Sequence, residues 1–399
     1  MTAIHPLMWQ ALQNCVTISG HGQSKLVIWN NTKKILRYNL NQNRVSQFIG
    51  QLLSLTTILA PDISLLIYQL FGTISIPPSF LVIHIILLSF STFGYLIGIV
   101  SQNCMKDYVI GFNSSISLEK VLREKCEFRK KLASTKAGTL LGILLNLGVT
   151  LYASGAYFIT IFGIFSEFDP LFLVQKYILH SVHFPLYLRA IVLLPAIHIC
   201  NTLCLMFCLL TVTAHLSISS ISCLDKLAPC LGWGKGAGEN YLRLYTRLSL
   251  NFTLCAGISN CCCLLFMGVG LFCGVGVNFV TMKMYGITPI SIYLLFPVCA
   301  VFMGMIADIM TTMIVKISES SCTLVWKMER YLSPCGDRAF VRRKLRVVRN
   351  VKVNAGIGPY VFFGVNAGTK LAYYYTVVNF TITALLSIQI ETNGVQNLY

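Results

Sequence analysis

Residues 63–105 read ISLLIYQLFGTISIPPSFLVIHIILLSFSTFGYLIGIVSQNCM and contain no Asp, Glu, Lys or Arg. A helix that crosses the hydrocarbon core of a bilayer needs about 20 mostly apolar residues. Gly72 and the Pro77-Pro78 pair interrupt the run as a tight turn would, so it finishes one span and holds a second whole one. Further charge-free runs cover Ala137–Ser166, Ala190–Leu224, Leu248–Met282, Met284–Ala307 and Leu371–Ile390. The expectation is an all-α membrane protein with seven transmembrane helices, near Gln47–Phe71, Ser79–Gln102, Gly138–Phe165, Leu186–Leu216, Leu254–Thr281, Pro289–Val315 and Leu371–Ile390. Composition agrees: 55% of the 399 residues are hydrophobic and only 11% charged, against about 25% charged in a soluble domain. Disordered, collagen-like and soluble nucleic-acid-binding classes are excluded, and no nucleic-acid partner is expected.

The net charge of +17 is instead read through the positive-inside rule. The segment before the first span carries Lys25, Lys33, Lys34, Arg37 and Arg44, with no acid. The connection after the second span carries eight Lys or Arg, that after the fourth carries Lys226, Lys235, Arg243 and Arg247, and that after the sixth carries nine between Lys327 and Lys352. The opposite side has Lys176 and Lys283, with Arg189 at a helix edge. The N-terminus is therefore expected in the cytoplasm and the C-terminus outside, with the basic loops facing anionic membrane lipid. Residues 1–46 are read as a polar, basic cytoplasmic segment rather than a signal peptide. This orientation opposes a G-protein-coupled receptor. The third helix ends Ile161-Phe162-Gly163-Ile164-Phe165 without an acidic-Arg-aromatic triplet, and the seventh has no proline.

Chemistry-bearing motifs are scarce. The chain has no Gly-rich phosphate loop, no His-x-x-x-His pair and no serine elbow, so it is not read as an enzyme. Many of the 16 cysteines lie in apolar runs, among them Cys200, Cys204 and Cys208, or Cys255 and Cys261–Cys263; such cysteines pack as small hydrophobes. Cys223 and Cys230 near His215 lack the spacing of a zinc ligand pair. No metal or cofactor is expected. Asp62 and Asp308 are the carboxylates well inside spans, where acids carry function by default. Asp62 is also read as capping a helix broken at Pro61, and Asp308 as pairing with Lys316 or lining an ion exit.

Several stretches carry a resemblance. Gly358-Pro359-Tyr360-Val361-Phe362-Phe363, then Thr369-Lys370-Leu371-Ala372-Tyr373-Tyr374, resembles the Gly-aromatic segment and the start of the last helix in the insect-type chemoreceptor superfamily of gustatory and odorant receptors. Asp169-Pro170 fits its outer loop between helices 3 and 4. The gustatory signature, Thr-Tyr, five hydrophobic residues, Gln-Phe, is matched in two registers: Ala372-Tyr373 with Asn379-Phe380, or Ile382-Thr383 with Gln389-Ile390. The second is preferred because the family motif closes the chain. With seven spans, an inside N-terminus and long cytoplasmic extensions of helices 4 to 6, the chain is most similar to a divergent arthropod gustatory receptor.

The resemblance implies a taste-like receptor of the plasma membrane. It implies a ligand-gated cation channel, homo- or heterotetrameric, in which helix 7 lines the pore. Residues 47–315 then hold helices 1 to 6, 316–370 the cytoplasmic anchor region, 371–390 the pore helix and 391–399 an extracellular tail. Pore and gate residues carried over are Thr383, Leu386, Gln389 and Ile390: an apolar ring gates by dewetting, and a polar ring lies just outside it. A small-molecule ligand, tastant or odorant, is expected in an outward-opening pocket of the bundle. Candidates there are Tyr95, Tyr152, Tyr157, Phe158 and His198, since aromatic rings with a polar tip suit mixed ligands. The competing readings are a secondary transporter, which requires an internal repeat that is not visible here, and a G-protein-coupled receptor.

Overall fold

The computed structural model describes residues 5–18, 27–39, 43–127, 136–165, 169–179, 184–229, 237–285, 290–332, 343, 348–358 and 360–387. Among these, six helical stretches are long and apolar enough to cross a membrane: Gln47–Leu70, Phe80–Cys126, Thr139–Tyr177, Leu186–Leu227, Gly238–Lys283 and Leu295–Tyr331. The chain is a multi-pass membrane protein. The seventh expected span forms a helix of 21 residues, Ala367–Ser387. It is not one of the six, because three tyrosines, Asn379 and its threonines dilute its apolar residues.

In chain order the helices are α1 (Pro6–Ile18), α2 (Asn43–Ser54), α3 (Ala60–Leu70), α4 (Pro78–Glu127), α5 (Lys136–Phe165), α6 (Pro170–Tyr177), α7 (Leu186–Ala190), α8 (Leu193–Leu227), α9 (Ala237–Lys283), α10 (Ile290–Tyr293), α11 (Leu295–Leu332) and α12 (Ala367–Ser387). Strands β1 (Val27–Asn30) and β2 (Ile35–Tyr38) form one antiparallel hairpin, and β3 (Asn354–Ile357) and β4 (Tyr360–Gly364) another. The two short hairpins are additions to a chain that is mostly helical, as the all-α expectation has it. A π-turn over Leu55–Leu59 joins α2 to α3. It lies just before Pro61, whose missing N–H and bulky ring would break a regular ladder.

α4, α8 and α9 form the centre of the bundle. Tyr108, Phe112, Leu209, Val212, Cys255 and Ile258 are fully or almost fully buried there. At the end of the bundle that carries most of the Lys and Arg, these helices run on past the apolar spans. With α11 they bury a second core of Leu118, Leu122, Leu224, Tyr245, Leu324 and Met328. The sequence reads the extension of α4 to Glu127 as a loop; its buried apolar residues recur at helical spacing, Lys120, Glu124 and Lys125 face out, and Glu119 is fully buried.

The N-terminal segment is likewise more structured than its polar reading. Met8, Trp9, Leu12 and Cys15 of α1 are buried in the main core. Trp9 stacks on Trp29 of β1 at 4.9 Å, and Trp29 meets Phe112 of α4 edge-on at 6.4 Å. The Asn113 amide holds β2 against α4: it accepts from the Leu36 N–H at 2.9 Å and donates to the Leu36 carbonyl at 2.7 Å. In the turn, Lys34 takes a positive φ of 51°, and partial burial lowers its pKa below the usual lysine value.

α4 and α9 approach closely at Gly111. A Cβ there would lie 2.8 Å from Cys255 Sγ and 2.9 Å from the Asn251 carbonyl oxygen. Backbone cannot step aside as a flexible side-chain tip can, and small residues let membrane helices approach. Gly111→Ala is therefore expected to cost about 1–3 kcal/mol, despite the better helix propensity of alanine. The thermal unfolding midpoint of the detergent-solubilised protein is the measurement, and an unchanged midpoint would contradict it.

Candidate functional site: a central apolar cavity and the outward face of α12

Between α4, α5, α8, α9 and α11 lies a cavity of about 90 Å³. Its walls are apolar: Phe93 and Ile97 of α4, Met206 and Leu210 of α8, Phe266 of α9 and Met310 of α11. Val353 and Val365, on either side of the β3–β4 hairpin, also line it. Tyr152, Thr213, Ser259 and Thr311 supply hydroxyls, and among the described residues no charged side chain lines it. Two hydroxyls are already engaged. Thr213 Oγ1 donates to the Leu209 carbonyl at 2.8 Å and lies 2.6 Å from Tyr108 OH, and Thr311 Oγ1 donates to the Ala307 carbonyl at 2.7 Å. Such a cavity accepts a small, mostly apolar molecule with one or two hydrogen-bonding groups.

Of the residues expected at a ligand pocket, Tyr152 stands on this wall, with its ring 6.3 Å from Phe302. The others lie elsewhere. Tyr95 is half-buried on α4. Tyr157 and Phe158 are exposed on α5, where Phe158 stacks on Phe162 at 5.8 Å. His198 is buried on α8 against Gly50 of α2, where a Cβ would come within 3.0 Å of its ring. Sequence reasoning missed the α9 and α11 side of the cavity, because Ser259, Phe266 and Met310 look like any other residues of an apolar span.

α12 packs on α9 through one face. Gly270 and Gly274 of α9 make room for Tyr373 and Val377, and a Cβ on Gly270 would lie 2.8 Å from the Tyr373 hydroxyl. Near its end, Ala384 and Leu385 join a cluster with Ile83, Val277 and Val280. The opposite face points away from the protomer. Leu371, Tyr375, Val378, Ile382 and Leu386 form an exposed apolar stripe at helical spacing, with Leu386 78% exposed. Beside it runs a second stripe of Thr376, Asn379, Thr383 and Ser387. Here the hydroxyls of Thr376, Thr383 and Ser387 each donate to the carbonyl four residues back, at 2.7, 2.9 and 2.5 Å. Thr383 and Leu386 thus lie on the outward side, while Gln389 and Ile390 fall outside the described residues, as does the 391–399 tail.

At the other end of α12, Lys370 Nζ pairs with Asp308 of α11 at 2.7 Å and donates to Thr312 Oγ1 at 2.6 Å. The Tyr374 hydroxyl donates to the same carboxylate at 3.3 Å. Asp308 thus ties α11 to α12, not to Lys316. Asp62 does not cap α3; its Oδ1 lies 2.9 Å from His84 Nδ1 of α4, and both side chains are buried. A third acid, Asp169, caps α6 by accepting from the Phe172 N–H at 2.9 Å. It also takes the Arg189 guanidinium of α7 at 2.9 and 2.5 Å, while that guanidinium donates to the Ile164 carbonyl at 2.8 Å.

No protein-family model matches the chain, and no characterised protein sequence does. Solved structures do. The insect olfactory receptor OR5 from Machilis hrabei superposes with a TM-score of 0.64 over 94% of this chain and 97% of its own, at 12% identity. The same receptor in complex with eugenol superposes with a TM-score of 0.58 over 94% and 98%, at 10% identity. The chain has the fold of an insect olfactory receptor. Both of these structures are of a receptor, not of an enzyme.

Proposed function

We propose that the protein is a chemosensory receptor of the insect gustatory and odorant superfamily, acting as a ligand-gated cation channel of the plasma membrane. The observation that carries the reading is the outward face of α12: a hydroxyl-bearing stripe beside an apolar one, on a helix held to its protomer by one side only. Polar side chains in a membrane helix face protein or water rather than lipid. Around a symmetric axis four such helices line a wet path, and Leu386 narrows it. The exposed aromatic strand β4, with Tyr360, Val361 and Phe362, offers further apolar surface for contact between subunits, in a homo- or heterotetramer. The apolar cavity holds the ligand. Eugenol, found with the similar olfactory receptor, has the matching chemistry of an aromatic body with few polar groups. Taste rather than smell is favoured by the degenerate helix 7 motif. The charge asymmetry puts the N-terminus in the cytoplasm, the basic loops against lipid and the C-terminus outside.

Current recording from oocytes expressing the chain, challenged with eugenol and a panel of apolar tastants and odorants, tests the reading. A cation current evoked by at least one compound and absent from uninjected cells is expected. Leu386→Ser gives a test that needs no ligand, because an apolar ring that excludes water holds ions out by their desolvation cost. The variant is expected to raise basal cation current; surface-expressed Leu386→Ser channels with no basal current and no response to any compound would overturn the proposal.

A further inference from the structure

The cysteines were read as apolar filler, and for most the structure agrees: Cys261, Cys262 and Cys263 are consecutive on α9, so their side chains diverge around the helix. One group behaves differently. Cys15 of α1 and Cys204 and Cys208 of α8 point their sulfurs to a common spot, with all three Sγ atoms within 4.8 Å of one another. Cys15 Sγ lies 3.5 Å from Cys204 Sγ. All three residues are buried, at 1%, 5% and 1% exposure. The i, i+4 spacing sets Cys204 and Cys208 on one face of α8, and α1 brings the third sulfur from more than 180 residues away in sequence. Among the described residues no other trio of His, Cys, Asp or Glu converges so closely.

We infer that these three thiols form a binding site for one soft, monovalent metal ion of the copper(I) class, which fastens α1 to α8. Thiolate ligands select soft ions such as copper(I) and zinc over hard cations. Structural zinc takes four protein ligands, and this group offers three sulfurs in an apolar core, which suits a three-coordinate ion. With metal–sulfur bonds of about 2.3 Å, a trigonal plane puts the sulfurs about 4 Å apart. The present triangle meets that spacing with movements of less than about an ångström, within the reach of χ1 adjustments. Each thiol that becomes a ligand releases its proton to solvent as the sulfur–metal bond forms. Copper supplied as copper(I) keeps its oxidation state, so no electron acceptor is required. The ion's positive charge offsets part of the thiolate charge that burial would otherwise oppose. The site and the cavity share one stretch of α8: Leu203 and Phe207, which line the cavity, immediately precede Cys204 and Cys208. This inference stands whether or not the protein is a channel.

The test titrates the purified full-length protein with copper(I) under anaerobic conditions, in competition with a chromophoric copper(I) chelator. The wild type is expected to withdraw one more copper per chain than Cys15→Ser/Cys204→Ser/Cys208→Ser. X-ray absorption should show three sulfur neighbours, and affinity should rise with pH because binding releases protons. Cys15→Ser alone, which keeps both α8 sulfurs, should weaken binding at least about 100-fold, and Cys200→Ser should not. Equal uptake by the wild type and the triple variant, measured on monodisperse protein, would overturn the site. If the triple variant does not fold, Cys15→Ser decides: unchanged affinity overturns the site and weakened affinity supports it.

Discussion

Ser259→Trp is expected to abolish the ligand-evoked current while leaving assembly and surface expression intact. Ser259 projects from α9 into the cavity, so an indole there occupies space that the ligand needs. The cavity is otherwise walled by packed helices that yield little, because protein interiors are close-packed. A ligand seated there must be displaced, which should raise the half-maximal concentration at least about 100-fold, or about 2.7 kcal/mol of binding. Basal current in Leu386→Ser/Ser259→Trp should persist, because the α12 face lies elsewhere. Dose–response recording on both variants separates loss of the site from loss of the channel. A normal response in Ser259→Trp would mean that the ligand binds outside this cavity.

Asp169→Ala is expected to have the largest effect on stability. The carboxylate holds three things at once: the first turn of α6, the Arg189 guanidinium of α7 and, through it, the Ile164 carbonyl at the end of α5. Asp169 is 5% and the Arg189 side chain 12% exposed. Removing one partner leaves a poorly solvated charge, which costs about 3–5 kcal/mol. Asn at 169 still caps a helix, so Asp169→Asn should fall between wild type and alanine. Thermal unfolding followed by size-exclusion chromatography measures all three. An alanine variant that melts with the wild type would show the arginine to be adequately hydrated without its partner.

Much of the fold was legible because a bilayer punishes charge. The six qualifying helices follow charge-free runs such as Ala190–Leu224 and Leu248–Met282. Where water replaces lipid the signal changes. The α4 extension reads as a polar loop until Leu118, Leu122 and Cys126 are taken as one helical stripe covered by Ile221 and Leu224. α1 was hidden in the same way, because five basic residues in 1–46 outweighed Met8, Leu12 and Cys15. The site was legible only in part. Tyr152 and the polar stripe of α12 carry their own residue-type signal. The cavity and the thiol trio depend on which residues of distant helices face one another, and one sequence does not contain that pairing. Asp308 shows the limit. Its nearest basic residue along the chain is Lys316, while the helix that actually packs beside it delivers Lys370.

The claim on which the account rests is that the outward face of α12 borders the ion path. Single cysteines placed at 372–387, on a background lacking the exposed Cys322 and other reactive cysteines, can be exposed to a water-soluble thiol reagent during current recording. Block is expected at 376, 379, 383 and 387, which share one stripe, and not at 373, 377 or 381, which face α9 or the protomer interior. If no position on α12 is modified or blocks conduction in channels that demonstrably open, the pore lies elsewhere.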